Sequence, residues 1–257
     1  MLQTIQKAGE LLALFDREHA EWGVREVADK LKMAKSSTHD LMSSLAKQGF
    51  LNKTDGNRYR LGWRLVTLSE VLLTTTELRQ EAHPVMEELA ARYQETIHLA
   101  VLDDTQAVYV DKLEGSQAVR VELTSLGARL YAHCSALGKV LLAYSPEEEV
   151  KRIIKTAGLP SFTPNTITDE GELYSALAKI QKQGYAYDLE EILPDLCCVS
   201  APIYNHSGRV IAAISMSIPA YRFRRSQTEY RDAIMRAAKA ISNRLGYYGS
   251  PQKVSKR

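Results

Sequence analysis

The sequence predicts an α+β protein in two parts: a helical N-terminal segment that ends in a short basic hairpin, then a larger segment of antiparallel strands flanked by helices. Three observations predict it. From Val24 to Leu51 the chain breaks into two short runs of helical periodicity around a tight turn. The next run, "FLNKTDGNRYRLG", reads as two strands, Phe50 to Thr54 and Arg58 to Leu61, joined through Asp55, Gly56 and Asn57, which suit a turn needing positive φ. Beyond residue 95 short alternating runs divided by turn residues give way to capped helices and an apolar hairpin.

In chain order, Thr4 is expected to cap a first helix running to about Arg17, with Leu11, Leu12, Leu14 and Phe15 on its apolar face. Val27, Ala28 and Leu31 then share one helical face, and Thr38, Leu41 and Leu45 share another. Small Ala28 suits a close helix crossing and Met33 a plug for the corner. Ser36, Ser37 and His39 point outward from the start of the second helix. Lys32 stands where such turns often carry Gly; a non-Gly residue in the left-handed region costs about 1 kcal/mol. Three helices and a basic hairpin make a winged helix-turn-helix. Residues 63–93 are helical in pattern with no Gly or Pro before Pro84, so the connector is expected to be a helix, with the domain division near Thr75 to Arg79. Leu65, Leu68, Leu72 and Leu73 give it more apolar surface than a solitary exposed helix carries.

The strand runs "TIHLAVLDD", "QAVYVDKLEG" and "AVRVELTS" follow. Ser145-Pro146-Glu147-Glu148 is expected to open a helix to about Ala157, with Ser145 as its cap. Another helix should span Asp169 to Gln183 and stop at Gly184. The stretch "CCVSAPIYNHSGRVIAAISMSI" reads as a hairpin turning at His206-Ser207-Gly208, and Ser226 with Glu229 as the cap of a final helix to about Leu245. No internal repeat is visible, and the tail "SPQKVSKR" reads as disordered.

With 257 residues, 45% of them apolar, the chain can build one large domain or two ordinary ones. The opening "MLQTIQKAGELL" lacks an apolar leader core, and no later stretch reaches about 18 uncharged apolar residues. A cytoplasmic protein with no membrane partner is expected. Cys134, Cys197 and Cys198 lack zinc spacing and are expected to be reduced, buried thiols. Net charge is only +2, but Lys30 to Leu61 holds seven basic residues against two acidic ones, a local +5 that leaves the remainder near −3.

That charge collects around the two short helices. Core helix pairs often show the same loose spacing, but Ala28 at the crossing, Met33 in the turn, polar residues leading the second helix, local charge and a following hairpin together point to double-stranded DNA. The second helix would then lie in the major groove, with phosphate contacts fixing register. Ser36, Ser37 and His39 are candidate base or phosphate contacts, and Lys35 and Arg58 candidates for phosphate or minor groove. Catalysis finds no footing: no G-x-S-x-G elbow, glycine-rich phosphate loop or H-E-x-x-H is present. The acids of "DLEE" (188–191) lack a partner arrangement, and His133-Cys134-Ser135 is more readily structure than nucleophile. The histidines show no ligand spacing. No enzyme, cofactor or metal site is expected.

With the N-terminal pattern, "LYAHCSALGKVLLA" and "GYAYDLEEILPDLCCVSAPIYNHSGRVIAAISMSIP" follow in order. Together they resemble the IclR family of bacterial transcriptional regulators, over about residues 3–248. The resemblance implies a winged helix-turn-helix in 1–62, a linker helix in 63–78 used for dimerisation, a GAF-like effector-binding domain in 79–248, and a tail at 249–257. It also implies a ligand-facing loop at Ala136 and Leu137, an acidic pocket residue at Asp188, a pocket cysteine at Cys198 and strand serines at Ser215 and Ser217, with Leu196 and Ser200 beside them. Read as residues, Ser215 and Ser217 share one strand face, where hydroxyls can donate to a carboxylate, and free N–H groups at the start of the Ala136 helix add positive potential. Asp188 would repel an anion, so it is expected either to accept from a ligand hydroxyl or to serve as a structural cap. The expected function is a homodimeric or homotetrameric regulator reading a pseudo-palindromic operator, a repressor of a small catabolic operon controlled by an organic or sugar acid. The alternatives are an activator of the same architecture, or a small-molecule-binding or hydrolytic domain whose helix-turn-helix only dimerises.

Overall fold

The computed structural model describes residues 2–16, 18–75, 77–116 and 125–249. Arg17, all of the "AVRVELTS" run except Ser125, the 250–257 tail and the Leu73 side chain lie outside the described residues. The chain forms two compact units, Met1–Thr75 and Thr76–Arg257.

In the first unit α1 spans Gln3–Leu12, shorter than expected, and Leu2 rather than Thr4 occupies its cap position. Leu14 and Phe15 lie past the helix yet still pack on the core of Leu11, Trp22, Val27, Met42, Leu51 and Tyr59. β1 (Glu21–Trp22), too short to show in the sequence, leads into α2 (Val24–Leu31). Lys32 does adopt the left-handed conformation (φ 53°), and Met33 N–H closes the turn on the Ala28 carbonyl at 2.9 Å. Hence α3 (Lys35–Lys47) starts abruptly, with Thr38 fully buried and its hydroxyl donating to Ala34 O at 3.0 Å. β2 (Leu51–Lys53) and β3 (Tyr59–Leu61) form the wing, and β1 braces β3 from its other side. Asn57 supplies the positive φ (56°) at the wing tip. α4 (Arg64–Thr75) closes the unit.

In the second unit α5 (Glu77–Tyr93) carries Pro84 inside the helix rather than at its end. The sheet is antiparallel, in the order β6 (Arg129–Tyr131), β5 (Gln106–Leu113), β4 (Thr96–Asp103), β9 (Val210–Pro219), β8 (Leu196–Tyr204), β7 (Ala186–Leu189). Side chains alternate across a strand, and here the two faces differ in bulk. Ile97, Leu99, Val199, Ile203, Ile214, Met216 and Ile218 fill one face under α5 and α9 (Ala220–Arg244). The opposite face is small or polar: Ala100, Ala186, Ala213, Ser200, Ser215 and Ser217. It is covered by α6 (Ala136–Ala143), α7 (Glu147–Ala157) and α8 (Glu170–Gln183). Small side chains leave room beneath α6.

Two helix starts differ from expectation. Ser145 does not cap α7, whose cap position falls on Pro146; its hydroxyl donates back to Leu141 O at 2.8 Å, satisfying a carbonyl in the last turn of α6. Ser226 does not open α9 but kinks it (φ −134°, ψ 29°), because Ala220 and Phe223 are buried and draw the preceding turn into the helix. Asp169 does cap α8, accepting from Glu172 N–H at 2.8 Å, and Gly184 ends it at φ 80°.

Candidate nucleic-acid interface and buried cavity

In the first unit the expected contact residues separate into two groups. Lys35, Ser36, Ser37 and His39 are all exposed on the first turns of α3, while Thr38 between them faces the core. Ala34 offers no side-chain cap, so the leading N–H groups of α3 have no side-chain acceptor, an arrangement suited to a phosphate. His39 Nδ1 lies 3.5 Å from Asp40 Oδ1. Arg58 is elsewhere engaged. Its guanidinium donates to both Glu26 oxygens at 2.9 and 2.7 Å and to Glu21 O at 2.9 Å, pinning the wing to α2. The pair holds the Glu26 carboxyl below the usual carboxylate range. Lys53 and Arg60, counted in the sequence only as local charge, are the exposed cations of the wing strands. Their alternation with buried Leu51 and Tyr59 was the readable signal.

In the second unit Ala136, Leu137, Asp188, Leu196, Cys198, Ser215 and Ser217 all line one cavity of about 30 Å³. Tyr109, Leu130, Ser135 and Ile192 complete its wall and were missed in the sequence. The register explains the gathering, because Asp188 lies opposite Cys198, Cys198 opposite Ser217, and Ser200 opposite Ser215 on neighbouring strands. Ser200 does not join the lining; its hydroxyl donates to Ile214 O at 2.9 Å. α6 enters from above, with the Ser135 hydroxyl accepting from Gly138 N–H at 3.1 Å. A Cβ at Gly138 would meet Ala132 O at 2.3 Å, so glycine is what lets α6 start this close to the preceding turn.

The polar groups form a graded set. Ser217 Oγ lies 3.1 Å from Cys198 Sγ and 3.4 Å from His98 Nδ1. His98 is 1% exposed, sits 4.8 Å from the Tyr109 ring, and has no partner for Nε2. Burial first, and Lys112 second, push its pKa down to about 3, so the ring is neutral. Asp188 Oδ1 accepts from Glu191 N–H at 2.7 Å; burial and the nearby Glu191 carboxyl push its pKa up to about 7. Glu191 itself is buried, ion-paired with the buried Lys139 ammonium through one oxygen and unpartnered at the other.

Residues 190–195 form a strap that puts Ile192 in the cavity wall, between two left-handed residues, Glu190 (φ 63°) and Asp195 (φ 61°). Thr163 and Thr166 hold the strap, donating to Glu190 O at 2.7 Å and Glu191 O at 2.6 Å. The space inside matches about one water molecule's share of liquid volume. An organic acid would have to displace the Ile192 side chain, which is the part of the strap that lines the cavity.

His133, Cys134 and Ser135 are occupied structurally. His133 Nε2 donates to Pro160 O at 3.0 Å, the Cys134 thiol to Tyr131 O at 3.5 Å, and Ser135 caps α6. The "DLEE" acids scatter: Asp188 faces the cavity, Glu190 pairs with Arg224 at 2.5 Å, and Glu191 pairs with Lys139. Among the described residues no three His, Cys, Asp or Glu side chains are placed to hold a metal ion, and no helix is long and apolar enough to cross a membrane.

Comparison with known proteins gives two family matches, one described as the IclR helix-turn-helix domain over residues 4–55 and the other as the C-terminal part of the bacterial transcriptional regulator IclR over residues 71–243. The HTH-type transcriptional regulator XynR of Escherichia coli (strain K12) is 34% identical over 249 residues, covering 96% of this chain and 98% of that one. The crystal structure of the Thermotoga maritima IclR is 35% identical, with a TM-score of 0.73 over 96% of this chain and 100% of that one. An IclR homolog from Microbacterium hydrocarbonoxydans, solved in complex with 4-hydroxybenzoate, is 26% identical, with a TM-score of 0.82 over 94% and 98% of the two chains.

Proposed function

The chain belongs to the IclR family of bacterial transcriptional regulators, and from that premise we propose that it is a repressor of a small catabolic operon, released from its operator by an organic or sugar acid. One observation carries the reading: Ala136, Leu137, Asp188, Leu196, Cys198, Ser215 and Ser217, scattered over 82 positions of sequence, close on a single cavity. At one end, the Ala136 and Leu137 N–H groups open α6 and suit a carboxylate. At the other, Ser215 and Ser217 offer hydroxyls. The family relative bound to 4-hydroxybenzoate supports an acid as the effector.

DNA is contacted through Ser36, Ser37 and His39 at base edges and Lys35 at phosphate, with Lys53 and Arg60 of the wing adding cations. Arg58 acts mainly by holding the wing to α2. The reader is a homodimer, or a homotetramer, in the cytoplasm. Trp63, Val66 and Leu68 are 75%, 58% and 46% exposed, apolar surface that a second copy would cover. Dimerisation then sets a pseudo-palindromic operator with half-sites about one helical turn apart or at a related spacing.

The test is fluorescence anisotropy of the full chain on the DNA upstream of its own gene, titrated with salt and then with pyruvate, D-gluconate and 4-hydroxybenzoate. Salt-sensitive binding weakened by one of the acids is expected. Binding that no acid alters removes the effector half of the reading, and binding strengthened by acid removes release as the mode.

A further inference from the structure

Reading the cavity as an acid-binding site raises a problem of charge, and the present inference rests on that reading. Few charges act on Asp188. Glu191 on the strap raises its proton affinity and Lys139 on α6 lowers it. Lys139 is already paired with Glu191, and both are nearly sealed from solvent, with side chains 5% and 9% exposed. The other titratable neighbours are neutral. Tyr109 on β5, Cys134 in the turn before α6, and Cys198 on β8 all have their ionisation pushed up by burial, with Asp188 adding to it. Cys197, also on β8, is pushed up to about 11 by burial first. His98 on β4 carries no positive charge at neutral pH, its pKa lying at about 3.

The cluster therefore holds two carboxyl groups against one ammonium. A carboxylate ligand adds a third acid beside them; the nearest further cation, Lys112 opposite His98 on β5, is already paired with Glu114 and does not act on Asp188. Hydroxyls and helix N–H groups can solvate its oxygens, but they do not cancel the charge. One group can. The Asp188 carboxyl is bonded by the backbone N–H groups of Glu191 and Ile192, and once protonated its O–H can still donate to a ligand oxygen.

We propose that this cavity takes monocarboxylic acids, and that each enters together with one proton from solvent, which settles on Asp188 and donates to the ligand. Asp188 is then the residue that converts an anion-repelling pocket into an anion-binding one. No covalent step is involved; the proton is released when the acid leaves.

Isothermal titration calorimetry of the full-length protein tests this with pyruvate, D-gluconate and 4-hydroxybenzoate as probes. Each is measured in Tris and in HEPES, whose different ionisation heats report proton uptake. For an acid that binds, uptake should approach about one proton at pH 8 and vanish towards pH 6, because the free carboxyl titrates at about 7. Affinity should fall up to about tenfold between pH 7 and pH 8 and level off below. Asp188→Asn keeps the acceptor for Glu191 N–H and is always neutral. It should bind the same acid without proton uptake, independently of pH, and more tightly than wild type at pH 8.

Binding by wild type at pH 8 with no proton uptake overturns the proposal and leaves the acid-binding reading standing. Loss of binding in a folded Asp188→Asn, with zero uptake in wild type, would make Asp188 an ionised acceptor for a ligand hydroxyl. If none of the three acids binds even at pH 6, where Asp188 is already neutral, the acid-binding reading falls and this inference falls with it.

Discussion

Each unit of the molecule holds an ion pair distant in sequence, and the two teach opposite lessons about charge. In the DNA-reading unit Arg58 meets Glu26 with both side chains 40–47% exposed; under the sheet Lys139 meets Glu191 with both under 10% exposed. Water screens the first and leaves the second nearly bare. Exposed pairs contribute about 0–1 kcal/mol. A buried pair adds little net stability, yet breaking it from one side strands a charge at about 3–5 kcal/mol. The exposed pair is thus free to be remodelled by a partner, whereas the buried pair fixes where the strap lies.

The largest expected effect follows directly. Lys139→Met should destabilise the second unit by about 3–5 kcal/mol, since it leaves the Glu191 carboxylate buried without its cation. The double variant Lys139→Met with Glu191→Leu should recover most of that loss. Urea unfolding of the three proteins measures it, and a double variant no better than the single would mean that packing, not stranded charge, sets the cost.

The same burial gives stability a pH dependence. Because the Asp188 pKa is raised from 3.8 to about 7 in the folded state, the folded protein holds this proton more tightly than the unfolded chain. The stabilising contribution is complete below about pH 4 and is lost as pH rises to about 7. Relative to wild type, Asp188→Asn should therefore gain melting temperature steadily from pH 4 to pH 7 and no further above. A constant offset across that range would place Asp188 in a solvated setting.

Much of this contrast was legible from residues close in sequence. Alternation in the apolar hairpin was enough to put Ser215 and Ser217 on one face, and Asp169 with Gly184 marked both ends of α8. Local signals misled where a longer-range demand outweighed them. Ser226 has the look of a cap, but burial of Phe223 carries the helix through it as a kink. β1 is two residues long and exists only because β3 offers an edge. Both ion pairs were invisible, since their partners lie 32 and 52 positions apart and no periodicity links them. The cavity residues were nominated by family resemblance; what the fold adds is the register that brings them together, and Tyr109, Ser135 and Ile192 beside them.

A middle-sized effect sharpens the comparison at the cavity. Ser217→Val keeps strand propensity and removes a donor beside Cys198 and His98. Losing one hydrogen bond to a charged ligand costs about 1.5–3 kcal/mol, roughly 10- to 150-fold in acid affinity. DNA binding without acid should be unchanged, so that only the response to the acid is lost. Calorimetry with an acid that binds wild type is the check, and an unaltered titration for Ser217→Val would remove this serine from the site.

The smallest effects belong to the exposed pair, where they separate a bound arginine from a free lysine. Each phosphate contact contributes about one unit to the slope of log affinity against log salt. Lys35, exposed with no ion-pair partner among the described residues, should lose about one unit on Lys35→Ala. Arg58→Ala should lose much less, because Glu26 already offsets its charge, and should leave stability nearly unchanged because water screens the pair. Glu26→Gln sets the pair against DNA directly: it keeps an acceptor for Arg58 while removing the carboxylate's charge. If Arg58 is held by that charge, Glu26→Gln should steepen the salt slope by up to about one unit and tighten DNA binding, and the double variant with Arg58→Ala should return the slope to that of Arg58→Ala alone. An Arg58→Ala slope as shallow as that of Lys35→Ala would instead show that Arg58 leaves Glu26 for phosphate whenever DNA is present.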